Sequence, residues 1–256
     1  MANSAGIYLQ LDGKILLLCD QTWGRVPIGI GIADFSENAK ALAFAPGDSV
    51  QSREGCLHFA AGWIKIAETG NEVPSYGRKA EKEALQRGFE ALRGRETGLA
   101  PLTWQKERNP LCTLATPRLE KLFRCLREAD ADGIDAGVQS LLGLGPGLTP
   151  SADDVLCGLI YGLQRSTISE KTAVTCLKNA VRKHSGRTHP VSAAYLNAIA
   201  EGEFFSRMDG VWQYLTGEGP DCLDALLEVG SSSGADMLLG LLLAGTLLRM
   251  EEWTNV

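Results

Sequence analysis

Histidine is scarce: the chain has three in 256 residues, and its seven cysteines are scattered. Few ligands are therefore on hand for metal chemistry, and neither H-E-x-x-H nor a Walker lysine occurs. The cysteines (Cys19, Cys56, Cys112, Cys125, Cys157, Cys176 and Cys222) are odd in number and form no C-x-x-C pair. Several sit among Leu and Val, which reads as reduced, core-filling thiols and not a disulfide frame. Basic charge is also in deficit. A net charge of −6 argues against a nucleic-acid or anionic-membrane partner, while leaving a local anion site open. Long apolar runs are missing too: the longest, Met237 to Leu248, falls short of the roughly 20 residues that a spanning helix needs. No basic-then-apolar leader opens the chain, because Lys14 interrupts the first apolar stretch and Asp20 ends it. A soluble cytoplasmic protein of ordinary globular composition, 45% apolar and 22% charged, is the expectation.

What the chain has in excess is glycine, 29 residues where usage of roughly 7% would give about 18. Glycine brings no side-chain chemistry, so the excess concerns backbone: turns, caps or close approach. The pattern predicts an α+β protein in two parts. Residues 1–110 favour strands, forming hairpins in a small barrel or sheet. Ile7 to Leu11 and Lys14 to Leu18 flank Asp12-Gly13, a type I′ hairpin signal. Val26 to Ile32 alternates with its glycines on one face, and Ala41 to Phe44 and Leu57 to Ile66 read as further strands. One helix is expected near Lys79 to Leu92, then a loose stretch from Gly94 to Pro110. Residues 111–256 read as an all-helical domain: Arg118–Glu128, Ile134–Leu142, Ser151–Gln164, Ser169–His184, Pro190–Ala200, Arg207–Leu215, Asp221–Val229 and Ser233–Glu251. Asp154–Leu163 and Met237–Leu248 are apolar on nearly every face, which predicts buried central helices.

The informative feature is a repeat. Ser151-Ala152-Asp153-Asp154-Val155-Leu156-Cys157-Gly158-Leu159 and Ser233-Gly234-Ala235-Asp236-Met237-Leu238-Leu239-Gly240-Leu241 share S-x-x-D-h-L-h-G-L, where h is apolar, 82 positions apart. S-x-x-D is a helix-start pattern in which serine caps an early amide and the acid favours the positive dipole end. Gly158 and Gly240 stand where two buried helices could approach closely. Two readings fit. In the first, these are two well-capped buried helices of a pseudo-symmetric bundle. In the second, two helix N-termini converge on a small anion, fed by Gly145, Pro146, Gly147 and Thr149 on one side and Ser231, Ser232 and Ser233 on the other. Capping does not require those surplus loop residues.

Other motifs are weaker. Gly230-Ser231-Ser232-Ser233-Gly234 matches a nucleophile elbow in letters, yet no histidine follows it and helix precedes it. Asp153, Asp154 and Asp236 are candidate catalytic acids, or holders of a Mg²⁺ ion should the helix starts face each other; otherwise no cofactor is expected. In Arg187-Thr188-His189-Pro190, Arg187 offers bidentate neutralisation of an anion, while Thr188 or His189 suits the cap of a helix beginning at Pro190.

Leu142-Gly143-Leu144-Gly145-Pro146-Gly147-Leu148-Thr149-Pro150-Ser151-x-Asp153-Asp154, followed downstream by Gly230-Ser231-Ser232-Ser233-Gly234-x-Asp236, resembles the AllH-like family of oxamate carbamoyltransferase subunits. Thr188-x-x-x-Ser192 is similar to that family's middle element. The resemblance implies a role in anaerobic allantoin and purine breakdown, with carbamoyl phosphate plus oxamate giving oxalurate plus phosphate. It also implies other subunits as partners. Every reactant is a small anion, which agrees with the converging-helix reading. Gly145, Gly147, Thr149, Ser151, Thr188, Ser192 and Ser231 to Ser233 would then bind ligand, Arg187 would neutralise it, and Asp153, Asp154 and Asp236 would orient donors or hold a cation. A non-catalytic accessory subunit and a metal-dependent hydrolase using the aspartates remain alternatives.

Overall fold

In the computed structural model, the residues described are 6–42, 45, 47–66, 79–105, 109–166 and 171–247. The fold is α+β, and the chain divides into two compact units, Met1–Pro74 and Ser75–Val256.

The first unit contains two three-stranded sheets. β1 (Ile7–Leu11) and β2 (Lys14–Asp20) form an antiparallel hairpin. Its turn residues Asp12 and Gly13 have φ of 48° and 76°, the positive values that a type I′ turn requires and that Asp-Gly tolerates. β3 (Gly29–Ile32) pairs parallel with β2. It is shorter than the alternation suggested, because the Gly29 amide closes a turn onto the Val26 carbonyl at 2.9 Å. A Cβ on Gly31 would stand 3.1 Å from the Gln21 backbone, so one glycine of the alternating set does receive another backbone. The segment expected as a strand at Ala41 to Phe44 instead begins at the end of a helix, α1 (Phe35–Ala41); residues 43 and 44 lie outside the described residues. A four-residue apolar run has no period of its own, and the buried Phe35 anchors the helix face. Leu57 to Ile66, expected as one strand, is a hairpin of β5 (Cys56–Phe59) and β6 (Gly62–Lys65), with β4 (Gln51–Arg53) beside β5. Its turn is Ala60-Ala61, which carries no turn signature. Leu9, Leu18, Ile32, Phe35, Leu42, Leu57 and Phe59 make one core from both sheets and α1.

The second unit is helical among the described residues. α2 (Lys82–Leu92) comes first. The stretch expected to be loose then buries Leu99, Ala100 and Pro101 around a 3₁₀ turn, Ala100–Thr103. α3 (Pro110–Glu128) starts eight residues before the expected Arg118 and runs through Pro117. Asn109 caps it by accepting from the Cys112 amide at 2.8 Å, with Pro110 suited to the first turn. α4 (Ala131–Leu141), α5 (Ser151–Arg165), α6 (Lys171–His184), α7 (Pro190–Glu201), α8 (Ser206–Leu215), α9 (Leu223–Leu227) and α10 (Ser233–Leu247) follow, close to the periodicity. The expected extensions at 169–170 and 248–251 fall outside the described residues. His189 caps α7 through Nδ1, and Gly202 ends it at φ 100°. On α6, Lys183 and His184 do more than suit a helix dipole: both contact Asp135 of α4, at 2.9 and 3.0 Å. They hold the Asp135 carboxyl below its ordinary range, His184 most.

α5 and α10 form the centre. Every residue of α5 from Ser151 to Leu163 is buried, as is α10 from Gly234 to Leu242. A helix without a polar face must be enclosed by other helices, and α2, α6, α7, α8 and α9 pack against this pair.

Candidate functional site

The repeat becomes a pair of helices related by approximate two-fold symmetry. A Cβ on Gly158 would lie 2.1 Å from the Met237 carbonyl, and one on Gly240 would lie 2.2 Å from the Val155 carbonyl. Val155 and Met237 are themselves repeat equivalents, so the crossing exchanges onto itself when the helices are swapped. Only glycine permits backbones this close. Gly162 stands one turn further on, with its Cβ position 2.6 Å from the Ala244 Cβ. The contacts advance in the same direction along both helices, so the two N-termini converge.

At that end the acids and hydroxyls are exchanged between repeats. Ser151 does not cap its own helix: the N-cap of α5 is Pro150, without a side-chain bond. Ser151 instead hydrogen-bonds to Asp236 of α10, while Asp154 of α5 hydrogen-bonds to Ser233 and Thr149. The Thr149 and Ser233 hydroxyls lie 3.0 Å apart. Asp236 Oδ1 also accepts from the Leu99 amide at 2.7 Å. Both carboxylates are almost entirely buried, at 2% and 0% exposure, and the Oδ2 atom of each has no partner. Burial, then the neighbouring Asp236 charge, holds Asp154 well above the ordinary carboxylate range. Burial pushes Asp236 up to about 7 against the pull of Leu99, Ser151 and Ser232.

Asp153 has a different task. Its repeat equivalent is Ala235, so nothing matches it across the pair. Its Oδ1 accepts from the Gly143 amide at 2.8 Å, and its Oδ2 accepts from Ser192 at 2.6 Å and from Thr188. Both oxygens are thus occupied in tying α5 to the start of α7 and to the glycine loop. Thr188 and Ser192, candidates for ligand contact, meet Asp153. Burial nevertheless raises the Asp153 pKa, with Ser192, Thr188 and Gly143 opposing. Arg187 ends a 3₁₀ turn, Ser185–Arg187, and is exposed with no ion pair among the described residues. Its carbonyl stands 3.0 Å from the Cβ position of Gly143; the turn, not the guanidinium, packs on the loop.

The two loops divide by role. Gly145 has φ 128° and its Cβ would lie 2.6 Å from the Ser151 nitrogen, so the loop folds onto the start of α5. The Leu144 carbonyl takes the Ala152 amide at 3.0 Å, and Pro150 takes those of Asp153 and Asp154. Much of the expected supply of free amides is therefore used internally, and hydroxyls are the main donors left. Gly147 has φ 96°, is exposed and faces open space. On the other side, a Cβ on Gly234 would lie 1.9 Å from the Leu226 carbonyl, which seats α10 on α9. Ser231 is exposed, and Ser232 and Ser233 are half-buried.

Sequence reasoning missed Thr97, Gly98 and Leu99. The Thr97 hydroxyl donates to the Ser231 carbonyl at 3.2 Å. A Cβ on Gly98, at φ 63°, would strike the Asp236 carboxylate at 2.4 Å. The only signal was a glycine in a stretch read as loose. No cluster of three or more His, Cys, Asp or Glu side chains able to hold a metal occurs among the described residues. Nor, among them, is any helix long and apolar enough to cross a membrane.

With that geometry in place, the comparison with known families concerns the same segment. Residues 141–245 match the family model of oxamate carbamoyltransferase subunit AllH. The match runs from the last residue of α4 through most of α10, and so contains both repeats and the Asp153 junction. It leaves out the first unit and the Thr97–Leu99 strap. No solved structure matches the chain.

Proposed function

We propose that this chain is a subunit of an oxamate carbamoyltransferase, and that it holds a small oxyanion where α5 and α10 converge. The observation that carries the site is the meeting of Thr149 and Ser233, from loops 84 residues apart, at 3.0 Å between hydroxyls. Two helix N-termini aim their positive ends there. Half-buried hydroxyls of Thr149 and Ser233 supply donors, and Gly147, two residues before Thr149, is exposed with open space at its Cβ position. Support for the reaction class comes from the family matched by residues 141–245. In that reaction the anion is the phosphoryl or carboxylate end of carbamoyl phosphate, oxamate or oxalurate. Oriented binding and oxyanion stabilisation are the contributions such a site makes to carbamoyl transfer. The subunit name of that family supports further subunits as partners of this chain, and on this reading the process served is anaerobic allantoin breakdown.

The test is thermal. Carbamoyl phosphate, oxamate, oxalurate and phosphate are each added to the purified chain. At least one raises Tm, and Ser233→Ala or Gly147→Val removes the shift. No shift with any of the four would sink the anion site. Oxalurate phosphorolysis by the lone chain, compared with the chain plus its partner subunits, separates a catalytic from an accessory subunit.

A further inference from the structure

Behind the Thr149–Ser233 pair lies an acid with one oxygen unsatisfied. Asp154 Oδ2 is buried without a partner, as is Asp236 Oδ2. An ionised carboxylate left in that state carries a heavy desolvation cost, whereas the neutral acid leaves only a carbonyl-like acceptor unmade. The groups acting on Asp154 are Asp236 from α10, Asp153 from its own helix, and the Ser233 and Thr149 hydroxyls. Those acting on Asp236 are the Leu99 amide, from the strap before the 3₁₀ turn, and the Ser151 and Ser232 hydroxyls. Cys157, one turn along α5, is a thiol held neutral by burial and by Asp154. None of these groups carries positive charge. An anion arriving at the mouth would face two buried negative charges unless the acids were neutral.

We propose that Asp154, as a neutral acid, sets the direction in which the Ser233–Thr149 pair donates, so that the pair turns a proton outward to an oxyanion. This rests on the anion site proposed above. Each hydroxyl has a single proton, and either member of the pair can donate to the other. When Asp154 is ionised it draws those protons inward, leaving lone pairs toward the ligand. When Asp154 is protonated it donates to one hydroxyl, that hydroxyl donates to the second, and the last proton is free for the anion. Where Asp154 is already protonated, only hydrogen bonds rearrange; at a pH where the free carboxylate is ionised, it takes one proton from solvent, forming its O–H bond, as ligand binds. Asp154 is thus a positioning residue, and the ligand class is a carboxylate or phosphate presenting an acceptor oxygen.

Oxamate suits the test because its carboxylate stays ionised throughout the range used. Titration calorimetry of the full chain is run from pH 6 to 9, in two buffers of different ionisation enthalpy. The expected result is an affinity that is level while free Asp154 is protonated and that falls by up to about tenfold per pH unit, with proton uptake on binding, once Asp154 titrates. Asp154→Asn, whose amide donates at every pH, flattens that dependence. Wild-type affinity that rises with pH, or proton release on binding, overturns the proposal and leaves the anion site standing, as does an Asp154→Asn variant that keeps a falling wild-type slope. Binding that needs added Mg²⁺ or K⁺ and takes up no proton also overturns it, giving the carboxylates to a cation. No oxamate binding at any pH removes this proposal, and with no binding of the other three anions the site itself falls. Proton uptake is read on the wild-type chain, so the outcome does not depend on the variant folding.

Discussion

Three neighbouring acids of like chemistry have three different environments. Asp153 has both oxygens bonded to Gly143, Thr188 and Ser192, whereas Asp154 and Asp236 each leave Oδ2 unmet. A buried acid whose pKa is raised in the folded state stabilises the fold at low pH, since the folded form then binds more protons than the unfolded one. For Asp236, raised from 3.8 to about 7, this contribution is complete below about pH 4 and is lost as pH climbs through 7. Urea unfolding at pH 5 and pH 8 should therefore show a smaller pH-dependent loss in Asp236→Asn than in the wild type. Asparagine keeps an acceptor for the Leu99 amide, so the comparison isolates the charge. A wild-type-sized loss in the variant would show that Asp236 does not titrate in this window. The pattern S-x-x-D pointed to these acids, but as caps of their own helices. That each bonds to the other repeat's serine was not legible, because a cap and a cross-helix partner need the same residue types.

At the scale of elements, the helix pair depends on two glycines. A methyl on Gly240 would stand 2.2 Å from a backbone carbonyl and 2.7 Å from the Leu159 nitrogen, and neither can move without displacing α5. Gly240→Ala should cost about 3 kcal/mol or more by chemical denaturation, at the upper end of overpacking effects. Gly186→Ala, at an exposed site with nothing within 4 Å, should stay within about 0.5 kcal/mol. If the two variants are equally stable, the crossing is looser than drawn. The close approach was readable from Gly158 and Gly240 recurring in register. The helices themselves were readable from apolar residues on every face. Less was visible where the chain carries local turns: α1 is a seven-residue helix with a single buried residue, Phe35, and the Ala60-Ala61 turn has neither residue of a turn signature, its only glycine, Gly62, falling in β6.

The whole molecule has two units with separate cores. Leu57, fully buried, belongs to the first; the candidate site lies in the second. Leu57→Ala should therefore destabilise the first unit by about 3 kcal/mol and leave the anion-dependent rise in Tm of the second intact. Loss of both would tie the site to the first unit's fold. By itself the sequence determined the α+β class, the central position of two helices and the resemblance of residues 141–245 to one family, because burial on all faces and an internal repeat are written in residue order. Only the tertiary structure decided which hydroxyl meets which acid, that Asp153 is saturated while Asp154 and Asp236 are not, and that Gly98 and Leu99 close over Asp236. Those facts depend on contacts between positions from 10 to 137 residues apart, and whether a buried carboxylate is satisfied depends on every group around it, not only on its neighbours in the chain.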